Sequence, residues 1–167
     1  MAERLNNKTV EEKLKQKFGS AILDTALTYD MLTITVDKNE ILPIIRFLKE
    51  DSEMGFSFLT ALCGIHYENT EELGVIYHLH NLRENLRIRL KNSFPKDKPD
   101  VDSVTPVFLS ANWMERETYD FFGIRFTGHP DLRRILNMDD MDYFPLRKEY
   151  PLEDITRTDK DDAMFGR

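Results

Sequence analysis

The sequence holds a single cysteine, Cys63. One thiol forms no internal disulfide and ligates no iron–sulfur cluster, and it suits a reducing compartment. Histidine is also scarce. His78 and His80 stand two apart on one side of an expected strand, and Cys63 stands three before His66. Two ligands are fewer than a zinc site needs, so these read as ordinary sheet residues. Glycine appears seven times, never as G-x-G-x-x-G after a strand, so no loop is expected to cradle a nucleotide or flavin. Excess positive charge is missing too. The net charge is −7 and the pI about 5.2, against the basic face that nucleic acid requires. No window reaches the eighteen or so apolar residues of a membrane span, and the start, MAERLNNKTVEEKLKQKFG, lacks the apolar core of a secretory signal. Repeats and low-complexity tracts are absent.

What is present is a chain of 167 residues, 41% hydrophobic and 32% charged, enough for one domain with a real core. Residues 9–18 read as an amphipathic helix, with Thr9 and Glu12 as a capping box, Val10, Leu14 and Phe18 as its stripe, and Gly19 as its end. Residues 21–29 and 31–36 read as strands, the second alternating Leu32, Ile34 and Val36 with Thr33 and Thr35. Residues 40–50 form a second helix, with Ile41, Ile44, Ile45 and Leu48 inward and Pro43 confined to the first turn. Residues 56–67 are apolar but too short to choose between helix and strand. Residues 75–80 and 84–91 make a hairpin, with Leu86, Ile88 and Leu90 in and Arg87, Arg89 and Lys91 out. Residues 92–102 read as a polar loop broken by prolines. The expected fold class is α+β, a mostly antiparallel sheet with helices packed on one face, followed by an extended C-terminal arm. The expected division is a globular domain over 1–124 and a partner-binding arm over 125–167.

The densest chemistry lies in residues 112–151, NWMERETYDFFGIRFTGHPDLRRILNMDDMDYFPLRKEYP. Its first part reads as a helix capped by Asn112 with Glu115 three residues on, and closed by Gly123 in a left-handed turn. Ala111, Met114, Thr118, Phe121 and Phe122 share the core-facing side, and Trp113, Glu117 and Asp120 share another. Arg116, four before Asp120, is placed to pair with it. Pro130 can open a short helix with Leu132, Ile135 and Leu136 on its apolar side and Arg133 and Arg134 outward. Residues 152–167 are nearly all polar and read either as a frayed tail or as an arm that orders on a partner.

The stretch ERETYDFFGIRFTGHPDLRRIL resembles the signature of the 30 kDa subunit family of respiratory complex I, which includes the C subunit of bacterial NADH-quinone oxidoreductase. The matching positions are Glu115, Arg116, Glu117, Asp120, Phe121, Phe122, His129, Arg133, Ile135 and Leu136, and Pro145 to Pro151 looks like a second family block. The resemblance implies a structural core subunit of the hydrophilic arm that binds no cofactor itself. Flavin and iron–sulfur clusters would belong to partner subunits, and the nearest partner would be the 49 kDa-type subunit that helps form the quinone site. It implies a peripheral place on the cytoplasmic face of the bacterial plasma membrane, and it favours the arm reading of the tail. No catalytic and no metal-binding residue is expected on this chain. The residues expected to build the subunit interface are Trp113, Glu115, Arg116, Glu117, Asp120, Phe121, Phe122, Gly123, His129, Pro130, Arg133, Arg134, Pro145, Leu146, Arg147, Tyr150 and Pro151. His129 is expected to bond a carboxylate of the helix. Two competing readings are a stand-alone acid–base enzyme that uses Glu117 and Asp120, and a free-standing binding module.

Overall fold

The structure, a computed structural model, describes residues 4–150. Pro151 and the tail to residue 167 lie outside the described residues. Helix α1 spans Asn7–Phe18 and buries Val10 and Leu14. Its cap is Asn6, whose side chain accepts the Thr9 amide at 3.0 Å. The expected Thr9 cap is therefore displaced by three residues. An asparagine oxygen caps as well as a hydroxyl, and the chain turns early enough to use it.

Strands β1 (Ile22–Thr28) and β2 (Met31–Val36) form a hairpin whose two-residue turn, Tyr29 and Asp30, has φ of 51° and 60°. Two left-handed residues give the turn the twist a hairpin needs. Helix α2 (Ile41–Glu50) follows and buries Ile41, Ile44, Ile45 and Leu48. Pro43 sits in its first turn, where its missing N–H costs nothing. The ambiguous stretch becomes strand β3, Phe58–Tyr67, with a bulge between Leu59 and Ala61. Strands β4 (Glu72–Asn81) and β5 (Leu86–Pro95) complete a meander, and Asn81 closes the turn by accepting the Glu84 amide at 2.9 Å.

The sheet runs β1-β2-β5-β4-β3, antiparallel except for the β2–β5 pair. Register stacks the core in rows across it: Leu32, Ile88, Leu79 and Leu59, then Ile34, Leu90, Tyr77 and Leu62. These rows and the buried faces of α1 and α2 belong to one cluster. The class is α+β with a mostly antiparallel sheet, as expected.

Two expected segments differ. Residues 92–102 are not a loop throughout. Strand β5 continues to Pro95, and strand β6 (Asp100–Asp102) pairs in parallel with β7 (Arg125–Thr127). The polar Asn92 hid the alternation. It is buried because its side-chain oxygen accepts the Val75 amide at 3.0 Å. Second, no helix follows Pro130 among the described residues. Residues 128–150 run as turns and bends.

Helix α3 (Ala111–Phe122) links β6 to β7 and lies against β3. Its N-cap position is Ser110, which makes no side-chain cap bond, so Asn112 is not the cap. Gly123 ends it with φ 72°, its amide bonded to the Tyr119 carbonyl at 2.8 Å, as read from the sequence. Gly64 lets the helix come close: a Cβ there would sit 2.6 Å from the Phe122 ring. Among the described residues no helix is long and apolar enough to cross a membrane.

Candidate functional site

Asp120 is the hub of the 112–150 block. It is fully buried on α3. Its Oδ2 accepts the amides of Ile135, Leu136 and Asn137 at 3.1, 2.8 and 2.9 Å, and its Oδ1 accepts Arg134 Nη1 at 2.8 Å. Burial opposes the charge, but the amides and the guanidinium outweigh it and hold the carboxyl far below its ordinary range. Three successive amides can converge on one oxygen only if the chain turns around it. That is why residues 130–136 do not form the expected helix: its amides would point along an axis instead.

Arg134, expected to point outward, is turned in, with 9% of its side chain exposed. Besides Asp120 it donates from Nη2 to the carbonyls of Met141 and Tyr143, at 2.6 and 3.2 Å. Its Nη1 also reaches the Asp120 carbonyl at 3.1 Å, so the planar fork serves one carboxylate and three carbonyls from a single rigid group. Arg116 does not pair with Asp120. It donates to the carbonyls of Arg133 and Arg134, at 3.2 and 3.1 Å, with its guanidinium 5.0 Å from the Trp113 ring. Asp120 is already saturated by four donors, so the i, i+4 partner is left to bind the backbone that crosses above it.

Arg147 donates from Nε to the Phe122 carbonyl at 2.7 Å, at the negative end of α3. Phe144 lies between the guanidinium groups of Arg134 and Arg147, at 5.2 and 4.8 Å, and meets Tyr119 edge-on. Gly123 makes room for this: a Cβ there would meet Phe144 at 2.5 Å and Arg147 at 2.8 Å. The Leu146 amide bonds the Phe121 carbonyl at 3.2 Å, so residues 144–147 wrap the helix end. Tyr150 rests against Tyr143, with ring centroids 5.0 Å apart.

Among the described residues His129 bonds no carboxylate. Its Nδ1 accepts the Asp131 amide at 3.0 Å, which leaves Nε2 to donate to the Asn112 carbonyl at 3.2 Å. It fixes the turn at Pro130 through backbone groups. Arg133 does face outward and pairs with Asp131 at 3.0 Å.

Glu115, expected in a capping box, is instead fully buried. Ser103 Oγ donates to it at 2.6 Å and the Val104 amide at 2.7 Å, so it pins the strand-to-helix connection. Burial raises its carboxyl to about 7 against those two bonds. Glu117 is exposed and pairs with nothing among the described residues, and Trp113 is 62% exposed. Glu117 and Asp120 therefore share no surface, and the acid–base pair required by the enzyme reading is not assembled. Three contributors escaped the sequence reading: Ser103, Thr105, which shares the Ser103 hydroxyl, and His66, whose Nδ1 accepts the Lys148 amide at 3.0 Å. None stands at a spacing that marks it.

The block thus presents a pinned surface with exposed apolar groups, Trp113, Leu136, Met138, Tyr143, Leu146 and Tyr150, over a polar lock. Among the described residues no three His, Cys, Asp or Glu side chains gather as a metal site.

Residues 34–156 match the family described as the 30 Kd subunit of respiratory-chain NADH dehydrogenase. A protein of Roseiflexus sp. named as the C subunit of NADH-quinone oxidoreductase is 41% identical over 165 residues, covering 97% of this chain and 95% of its own. A protein of the same name in Geobacter sulfurreducens is 42% identical over 155 residues, covering 92% and 93%. In Methylobacterium sp. the relative of that name is 42% identical over 144 residues, and this chain spans 66% of it. The solved trypsin-resistant fragment (1-134) of Nqo5 superposes with a TM-score of 0.64 at 28% identity, over 74% of this chain and 98% of that one. A chain of the membrane-bound sulfane sulfur reductase, an archaeal respiratory membrane complex, shares the fold, with a TM-score of 0.75 at 21% identity over 92% and 95% of the two chains. The signature residues and these likenesses agree: the chain belongs to the family of the 30 Kd subunit of respiratory-chain NADH dehydrogenase.

Proposed function

We propose that this chain is a structural core subunit of the hydrophilic arm of a proton-translocating NADH-quinone oxidoreductase. It binds no cofactor itself and supports electron transfer to quinone by holding its neighbours in place. Its main contact is the 49 kDa-type quinone-site subunit, met through the 112–151 block. Flavin and iron–sulfur clusters belong to the partner subunits. The complex sits at the cytoplasmic face of the bacterial plasma membrane, and the chain is peripheral to it.

One observation carries this reading. The Asp120–Arg134 lock fixes backbone that has little apolar surface of its own, while Leu136 and Met138 beside it remain 66% and 68% exposed. A fold spends a saturated buried charge on such a segment when its shape is what matters. The test is Leu136→Glu with Met138→Glu. Both side chains are open in the free chain, so its melting temperature should hold. The amount of chain co-purifying with the membrane complex should fall by on the order of tenfold. Unchanged assembly with lost turnover would put the scaffold reading in trouble.

A further inference from the structure

The helices cover one face of the sheet. The other face carries a ladder of cations. Arg87, Arg89 and Lys91 alternate outward along β5, the central strand, each about 7 Å from the next. Register sets Arg87 against His80, Arg89 against His78 and Lys91 against Ile76 on β4, and Arg89 and Lys91 against Thr33 and Thr35 on β2. Among the described residues none of the ion pairs involves these three cations, and the buried Arg89 Nε has no hydrogen-bond partner there. Register places two acids on the same face, Asp24, opposite Thr35 on β1, and Glu72 on β4, and neither pairs with these cations. Burial and the charge of Arg89 hold the His78 imidazole below its ordinary value.

At its Lys91 end the ladder opens into a groove of about 520 Å³ whose lining includes Thr35, Tyr67, Glu72, Lys91, Ser93 and Lys148. Glu72 is the acid in that lining, and it too pairs with neither lysine among the described residues. Beside the cations lie Ile76, opposite Lys91, and beyond it on β3 Ala61, Cys63 and Ile65, so the face is partly apolar. Like charges two residues apart on a strand repel, and in a chain of net charge −7 such a row stands out.

We infer that the open sheet face, from Arg87 through Arg89 to Lys91 and the adjoining groove, docks an extended acidic segment of another subunit. The inference rests on the subunit reading above. A short acidic segment answers the local charge and can place apolar side chains on Ile76 and Ile65. A long polyanion would also meet the repulsion of the acidic whole.

The experiment uses the assembled membrane complex and a water-soluble carbodiimide, which joins an amine to a carboxylate with no spacer. Lys91 should couple to an Asp or Glu of another subunit, located by peptide mass spectrometry. Its acetylation should be about tenfold slower in the complex than in the free chain. Arg87→Glu with Lys91→Glu should leave the free chain's melting temperature in place and release that subunit at a lower salt concentration. Lys91→Gln should do so more weakly. Three results overturn the inference: Lys91 acetylated equally in both states, a link to an acid of residues 153–162 in the same chain, or protection that disappears when anionic phospholipid is removed. If the unaltered chain joins no complex, the subunit reading falls with it. A complex that contains the chain with Lys91 open overturns the docking face alone.

Discussion

Asp120 Oδ1 lies 2.8 Å from Arg134 Nη1, and neither side chain has meaningful access to water. The pair joins the last turn of α3 to a segment fourteen residues later in the chain, and through Arg134 it holds the path as far as Tyr143. Asp120→Asn removes the guanidinium's countercharge and leaves one acceptor oxygen where two now serve four donors. Breaking a buried pair from one side costs about 3–5 kcal/mol. Urea unfolding of the free chain should show a loss of that order; a loss below about 1 kcal/mol would mean the hub is not one.

The Asp120 carboxyl is depressed in the folded state, so its contribution is complete above the unfolded carboxyl range and is lost as pH falls toward and below its folded value. Lowering the pH from 7 to 5 should leave this contribution intact. The difference in stability between the natural chain and Asp120→Asn should begin to shrink only below about pH 4.

Glu115 behaves in the opposite sense. Its folded carboxyl titrates at about 7, above the ordinary 4.5. Between those values the folded chain holds more protons than the unfolded one, so stability falls as pH rises through that window and levels off above it. Glu115→Gln keeps an acceptor for the Val104 amide and removes the titration. Relative to the natural chain, the variant should gain on the order of 2–3 kcal/mol between pH 4.5 and 7.5, read from denaturant midpoints. A constant difference across that range would disprove the assignment.

Gly123→Ala meets two obstacles at once: a left-handed backbone at φ 72°, and Phe144 with Arg147 in the space of the new methyl. The expected loss is about 2–4 kcal/mol. An alanine variant within about 0.5 kcal/mol of the natural chain would show that the 144–147 wrap does not hold in solution.

Arg116 and Glu117 are neighbours with opposite expectations. Arg116→Lys should destabilise the free chain by about 1–2 kcal/mol, because an ammonium cannot span two successive carbonyls as the fork does. Glu117→Ala should change its stability by less than about 0.5 kcal/mol, since the side chain is exposed and unpaired among the described residues. Any effect of Glu117→Ala should appear in assembly, measured by native gel.

The periodic parts of the molecule could be read in advance. The stripe Ile41, Ile44, Ile45 and Leu48, the β4–β5 alternation and the Gly123 stop are local signals, and the fold obeys them. Asp120, Arg116, Arg134 and Arg147 stood among the candidate residues, but their partners were not legible. Nothing in a helical period joins Asp120 to Arg134. Nothing marks residues 135–137 as a turn around a carboxylate, and a Pro-initiated helix is the better local guess. The β6–β7 pair escaped for the same reason: three-residue strands carry no alternation, and their pairing depends on α3 folding back between them.

The β2–β5 seam has a consequence for how the chain reaches this shape. Leu32 lies opposite Ile88 in the sheet's parallel pair, while its other pairings join strands adjacent in sequence. Two hairpin-built halves can form early from nearby residues, and the sheet becomes one body only when they close along that line. Closing a loop of this length is the slow, entropically costly step. During synthesis the inner edge of β2 stays unpaired until β5 has left the ribosome, so the window for misassociation opens with one hairpin and shuts with the other.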